Sequence, residues 1–231
     1  APVAPLAPPQ AQALERSGEA LLGEAGAFSL RGQGRTPIAL SAAIITVLIV
    51  LLVLEALWGG SDNTQTLFRM GANHGVHVAR GEWWRLLSSG LLHGGAKHLF
   101  GNASCLLILM PFAIGLLGVS RTLVLLIVST LGAEALSAWA RPTSLGLGAS
   151  GGIFGVMASL VTLGLRPGRV VPRLARSSVL GPAGFFLFIN GCTSFQAGVG
   201  GMAHLGGALC GAFLAGSGLL TVGLSADGRS T

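Results

Sequence analysis

Gly148-Ala149-Ser150-Gly151-Gly152-Ile153-Phe154-Gly155 sets a single serine between a glycine-bearing turn and an apolar run that continues to Leu165. Ser150 stands where a helix would begin, so its hydroxyl can cap a free backbone N–H of the first turn. The same first-turn N–H groups can also stabilise a negative oxygen held beside the serine. Ser150 is therefore either a cap or a nucleophile, and residues elsewhere must decide. Gly148 permits a sharp turn just before it. Gly151 and Gly155, four apart, form a small-residue face against which a second helix can pack closely.

The sequence surrounding this stretch is that of a membrane protein. Only 10% of the 231 residues are charged, against about 25% in a soluble domain, and the mean hydropathy is +0.72. Six apolar segments approach the roughly 20 residues that a spanning helix needs. They run from Pro37 to Trp58, Lys97 to Leu117, Thr122 to Ala140, Ser150 to Leu165, Ser178 to Cys192 and Met202 to Thr221. The fourth is short for a crossing, which places its N-terminus below the membrane surface. Thr36-Pro37 reads as a cap followed by a first-turn proline.

Between the first two spans, residues 59–96 form a long loop. Its Trp83, Trp84 and apolar residues imply a segment folded against or into the bilayer face. Residues 1–36, with Pro2, Pro5, Pro8 and Pro9, read as a mostly disordered tail. Residues 222–231 read as a short polar tail, which leaves 37–221 as one six-span, all-α membrane domain. The net charge of +6 is distributed between spans rather than gathered into a patch suited to nucleic acid. Arg166, Arg169, Arg173 and Arg176 mark the loop between spans four and five as cytoplasmic, so both termini lie inside and the turn before Ser150 faces outside. Cys105, Cys192 and Cys210 lie in or beside apolar runs and read as small hydrophobes.

Polar groups inside spans are costly and tend to mark function. His204, near the start of the sixth span, shares its helix face with Gly207 and Gly211. If that face meets Gly151 and Gly155 at equal depth, His204 comes within hydrogen-bond reach of Ser150, as an activated nucleophile requires. Phe154, one turn below Ser150, can buttress the imidazole. His98 and Asn102 share the opening face of the second span, and both can donate hydrogen bonds to an oxyanion beside the Ser150 N–H. His93, ahead of two glycines, reads as a hydrogen-bonding loop residue. No aspartate lies near His204 in sequence, so a Ser/His dyad is the simpler arrangement, and Glu134 reads as a buried hydrogen-bond partner. His93, His98 and His204 have no carboxylate or cysteine at ligand spacing to join them, so neither metal nor cofactor is implied. Residues 148–152 match G-x-S-x-G letter for letter, but that elbow needs a strand-to-helix turn in a parallel sheet. No alternating β-pattern flanks it here. A capping serine with a carbonyl-bonded histidine is the competing account of each residue taken singly.

Taken together, these residues resemble the rhomboid family of intramembrane serine proteases. The likeness runs from about residue 37 to 221. It rests on Gly148-Ala149-Ser150-Gly151, Ala203-His204 with Gly207 and Gly211, His93, His98 and Asn102, and Trp84-Arg85. The resemblance implies a six-helix bundle with a long membrane-associated loop between the first two helices. It implies Ser150 as nucleophile, His204 as base, and His98, Asn102 and the Ser150 N–H as the oxyanion hole. Glu82 and Arg85 would shape the first loop, and Phe154 stands where relatives often carry a stacking tyrosine. The implied activity is endopeptidase cleavage of transmembrane protein substrates in or near their spans, without cofactor, in a lipid bilayer such as a bacterial inner membrane. A catalytically inactive, client-binding relative is the alternative.

Overall fold

The computed structural model describes residues 35–166, 171, 176–194 and 200–222, with isolated positions 9, 12, 16 and 17. The expected N-terminal tail, apart from those positions and its last two residues, lies outside the described residues. So do Arg169, Arg173 and the polar tail beyond Val222.

Among the described residues, three helices are 22 residues long and apolar enough to cross a membrane: α1 (Thr36–Leu57), α5 (Ala96–Leu117) and α6 (Val119–Ala140). At about 1.5 Å per residue, each extends over roughly the thickness of a hydrocarbon core. Three further apolar helices are shorter: α7 (Ser150–Leu165), α8 (Arg176–Thr193) and α9 (Gly201–Gly216). α1 faces outward along most of its length, with Val47, Ile49, Val50 and Val53 exposed. α7 is the reverse: every residue from Gly151 to Leu160 is buried. A helix apolar on all sides belongs at the centre of a bundle, and α5, α6, α8 and α9 all pack against α7.

Several of the expected helix boundaries differ; the third span begins at Val119 rather than Thr122, and the fifth at Arg176 rather than Ser178. α1 starts one residue early, so Thr36 lies within the helix; its N-cap position is Arg35, which makes no side-chain capping bond. The last expected span, to Thr221, ends instead at Gly216, and a 3-10 turn (Leu219–Thr221) follows Gly218. Gly218 has φ +85, a left-handed conformation that stops helix propagation.

The connection between α1 and α5 is folded. It holds α2 (Thr64–Met70), α3 (Gly75–Ala79), α4 (Arg85–Ser88) and a 3-10 turn (Ser89–Leu91). Asn63 caps α2 by accepting from the N–H groups of Gln65 and Thr66, at 2.9 and 3.3 Å. The segment also contains strand β1 (Asn73–His74), which pairs antiparallel with β2 (Leu145–Gly146), opposing Asn73 to Gly146 and His74 to Leu145. An all-α reading therefore needs this small correction. Two residues per strand are too few for an alternating pattern to register in a sequence. The pairing matters because β2 lies just before Ser150, so the connection grips the turn that sets the serine's position. The Gly148 N–H also donates to the Ser89 carbonyl at 2.9 Å.

Arg85 holds this connection together. Its Nε donates to Glu82 Oε2 at 2.6 Å, and its Nη1 donates to the carbonyls of Phe68 and Ala72 at 2.8 and 2.9 Å. Its guanidinium lies over the rings of Phe68 and Trp84. Glu82 also lies 2.6 Å from His77 Nδ1 through Oε1. These bonds, His77's first and Arg85's second, hold the Glu82 carboxyl below its ordinary pKa of 4.5. A depressed carboxylate contributes stability above its unfolded pKa and loses it as pH falls through the folded value. Glu82→Gln is expected to lower the thermal unfolding temperature at pH 7, with the gap to wild type closing as pH drops below 4.5. A gap that stays constant down to pH 3 would contradict this.

Candidate active site

Ser150 is the first residue of α7. Ala149 occupies the N-cap position, and no side chain caps this helix. The capping account of Ser150 is therefore wrong for this structure: the hydroxyl points elsewhere. Its Oγ lies 2.9 Å from His204 Nε2. The imidazole of His204 stacks on Phe154, with ring centroids 4.1 Å apart and planes 10° from parallel. Stacking on one face and a hydrogen bond at the edge together fix both the plane and the rotation of the ring.

The closeness of α7 and α9 creates this meeting. A methyl group added at Gly207 would overlap the Gly151 carbonyl, and one at Gly211 would overlap the Gly155 carbonyl. The two helix backbones are thus in direct contact at two successive turns, which only glycine allows. Ser150 and His204, one and three residues before the upper contact, are carried to the same depth.

The wall beside Ser150 comes from α5 and the turn before it. Gly148 has φ +113, and a side chain there would collide with His98, 2.6 Å from its Cε1 and 2.8 Å from its Nε2. Glycine is needed at 148 both for the turn and for this approach. Asn102 lies on the same side. Its Nδ2 donates to His93 Nε2 at 3.0 Å, so that nitrogen is an acceptor and His93 carries its proton on Nδ1, which faces the Leu91 carbonyl at 3.3 Å. Burial first, and His98 second, hold His93 down at a pKa of about 4, which keeps it neutral at pH 7 and able to accept. The His93 backbone N–H in turn donates to Glu55 Oε1 of α1 at 2.9 Å. A continuous line of hydrogen bonds therefore runs from α1 through His93 to Asn102. The N–H groups of Ser150 and its two successors belong to the helix's first turn and have no intrahelical acceptor. His98 and Asn102 line the turn at Gly148 that leads into Ser150.

Glu134 lies apart from this cluster. Its Oε2 accepts from Asn73 Nδ2 at 2.6 Å, and its backbone carbonyl accepts from the same nitrogen at 2.8 Å. This anchors β1 to α6. Among the described residues, no group of three His, Cys, Asp or Glu side chains is arranged to hold a metal ion.

The sequence model of the Rhomboid domain matches residues 80–220. The chain belongs to the rhomboid family. It is 30% identical over 172 residues to the rhomboid protease GluP of Bacillus subtilis, covering 74% of this chain and 33% of GluP. It is 28% identical over 218 residues to the rhomboid protease AarA of Providencia stuartii, covering 81% of this chain and 76% of AarA. A rhomboid-like protease of Toxoplasma gondii is 39% identical over 106 residues, 44% of this chain and 12% of that protein. The chain thus spans about a third of the length of GluP. Family membership and the apolar helices make it an integral membrane protein.

One residue of this rhomboid site carries no advance signal in the sequence. Ser194, immediately after α8, places its Oγ 2.6 Å from His204 Nδ1. It is a serine ten residues from the histidine, in a segment that reads as a helix end, and nothing in its spacing singles it out. Glu55 is similar: an acid in a span is conspicuous, but its partner, a backbone N–H at His93, has no sequence signature.

Proposed function

We propose that the chain is an intramembrane serine endopeptidase that hydrolyses peptide bonds in or near the transmembrane segments of membrane proteins. The observation that carries this reading is the Ser150 hydroxyl 2.9 Å from an imidazole pinned against Phe154. Ser150 is the nucleophile and His204 the general base. As Ser150 Oγ attacks the scissile carbonyl carbon, its proton passes to His204 Nε2. The carbonyl oxygen becomes an oxyanion held by the Ser150 N–H, His98 and Asn102. The imidazolium then protonates the departing amine, leaving an acyl-enzyme. Water, deprotonated by His204, attacks that ester, and the serine recovers its proton.

The proposed membrane domain covers 37–221, with all six apolar helices spanning the bilayer. The 16-residue helices α7 and α9 are shorter than the roughly 20 residues of a full crossing, so Ser150 and His204 lie below the surface, in a cavity open to the outside. A substrate helix must unwind there, because extended backbone is tolerated at membrane depth only where water or protein satisfies it. Both termini are cytoplasmic under the positive-inside rule, in a membrane of the bacterial inner type.

Cleavage of a single-span substrate in liposomes tests the proposal. Products cut within or beside the span are expected from the wild type. A folded protein that leaves a broad panel of such substrates intact would overturn it in favour of a client-binding role.

A further inference from the structure

We propose that Ser194 sets the tautomer of His204, and so makes Nε2 the nitrogen that faces Ser150 unprotonated. A neutral imidazole carries one proton on one of its two nitrogens, and only the Nδ1–H form leaves Nε2 free to accept from a hydroxyl. Ser194 Oγ has a single proton and, among the described residues, two neighbours that could receive it. One is His204 Nδ1 at 2.6 Å; the other is the Asn190 carbonyl, one helical turn earlier, at 2.8 Å. A carbonyl can only accept, whereas Nδ1 can either donate or accept. With the Ser194 proton committed to Asn190, the hydroxyl oxygen offers a lone pair to Nδ1, and the imidazole proton is drawn to that side. The opposite arrangement would put the proton on Nε2, which would then donate to Ser150 and could not accept its proton.

The backbone around Ser194 is built to hold this geometry. Its N–H donates to the carbonyls of Asn190 and Gly191, both at 3.1 Å, so the end of α8 closes tightly on itself. Its own carbonyl lies where a side chain at Gly201 would come within 2.9 Å. The end of α8 therefore sits directly on the start of α9, three residues before His204. Ser194 touches no reacting atom. It is a positioning residue that acts through His204, and it follows the end of α8, whereas Ser150 and His204 come from α7 and α9.

The value of this tautomer to catalysis rests on the protease reading above, but the tautomer itself does not. The test accordingly uses two readouts. The first is ¹⁵N NMR of histidine-labelled protein, with the His204 signals assigned by difference against His204→Asn. Wild type is expected to show a protonated Nδ1 and an unprotonated Nε2, with Ser194→Ala shifting the population toward Nε2–H. The second is cleavage of a single-span substrate. Ser194→Ala is expected to lower kcat roughly ten- to a hundredfold, a portion of the 10²–10⁴ that a positioned base contributes. KM should stay within about twofold, and Ser194→Thr, which keeps the hydroxyl, should restore most of the rate. Identical tautomers in wild type and Ser194→Ala, or an Nε2–H form in wild type, would overturn the assignment whether or not the protein cleaves anything. An expected tautomer in a protein with no activity would leave the assignment standing and remove the protease reading instead.

Discussion

Ser150→Ala is expected to abolish cleavage of a single-span substrate while leaving the fold intact. Removing the nucleophile of a serine protease costs on the order of 10⁶ in kcat, because the remaining groups cannot form the acyl-enzyme. The expected rate therefore falls to the background of the assay. The same change removes one hydrogen bond, from Ser150 Oγ to His204 Nε2, and a typical hydrogen bond contributes only about 1 kcal/mol to stability. Activity and thermal unfolding should thus separate cleanly. His204→Ala should match the loss of rate but cost more stability, since it also vacates the stack on Phe154 and the contact with Ser194. Cleavage by Ser150→Ala at a rate near that of wild type would return the serine to a structural role.

Gly207→Ala should harm both fold and activity through one added carbon. The new methyl would overlap the Gly151 carbonyl on α7, and backbone cannot rotate aside as a side chain can. Overpacking of this kind costs about 1–3 kcal/mol. The helices can relieve it only by separating, which lengthens the Ser150–His204 distance, and a misplacement of 1 Å can cost about 10²-fold in rate. Gly101→Ala on α5 is the matched control. A methyl there meets nothing within 4 Å, and in an unstrained helix the change is expected to be neutral or to stabilise by about 0.5–1 kcal/mol. Thermal unfolding of the two variants in the same detergent, alongside their turnover, checks the contrast. Equal behaviour of the two would mean that the α7–α9 contact is looser than the geometry indicates.

The glycines of the α7–α9 contact also show what made the site legible before the structure. Gly151, Gly155, Gly207 and Gly211 announce a close helix pair because small residues four apart have few other uses on an apolar helix. Once the faces are paired, the depth of Ser150 and His204 follows. Phe154 was legible for the same reason, being one turn from Ser150 on a helix with a known partner. Ser150 was ambiguous in isolation, since cap and nucleophile use the same residue at the same place. The uncapped helix start and the bond to His204, visible only in three dimensions, exclude the cap and support the proposed nucleophile.

What the sequence withheld was of a different kind. β1 and β2 join two segments about seventy residues apart through two residues each, a pairing with no periodicity to detect. The link from Glu55 to the His93 N–H uses a backbone donor, and every residue but proline has one. Ser194 contributes a hydroxyl whose meaning depends on the ring nitrogen it faces. The three short apolar helices pose a length problem. Among the described residues, α1, α5 and α6 are the helices long and apolar enough to cross a membrane, and the shortness of α7 and α9 is what places the Ser150–His204 pair beneath the surface in the proposed arrangement.

The most direct test of the central claim, that Ser150 is a nucleophile activated by His204, is covalent labelling with a fluorophosphonate probe. The adduct would be located by peptide mass spectrometry on the membrane-embedded protein. The prediction is one adduct per chain on Ser150 in wild type, none in Ser150→Ala, and strongly slowed labelling in His204→Ala. An adduct on another residue, or labelling of Ser150 that proceeds equally fast without His204, would contradict it.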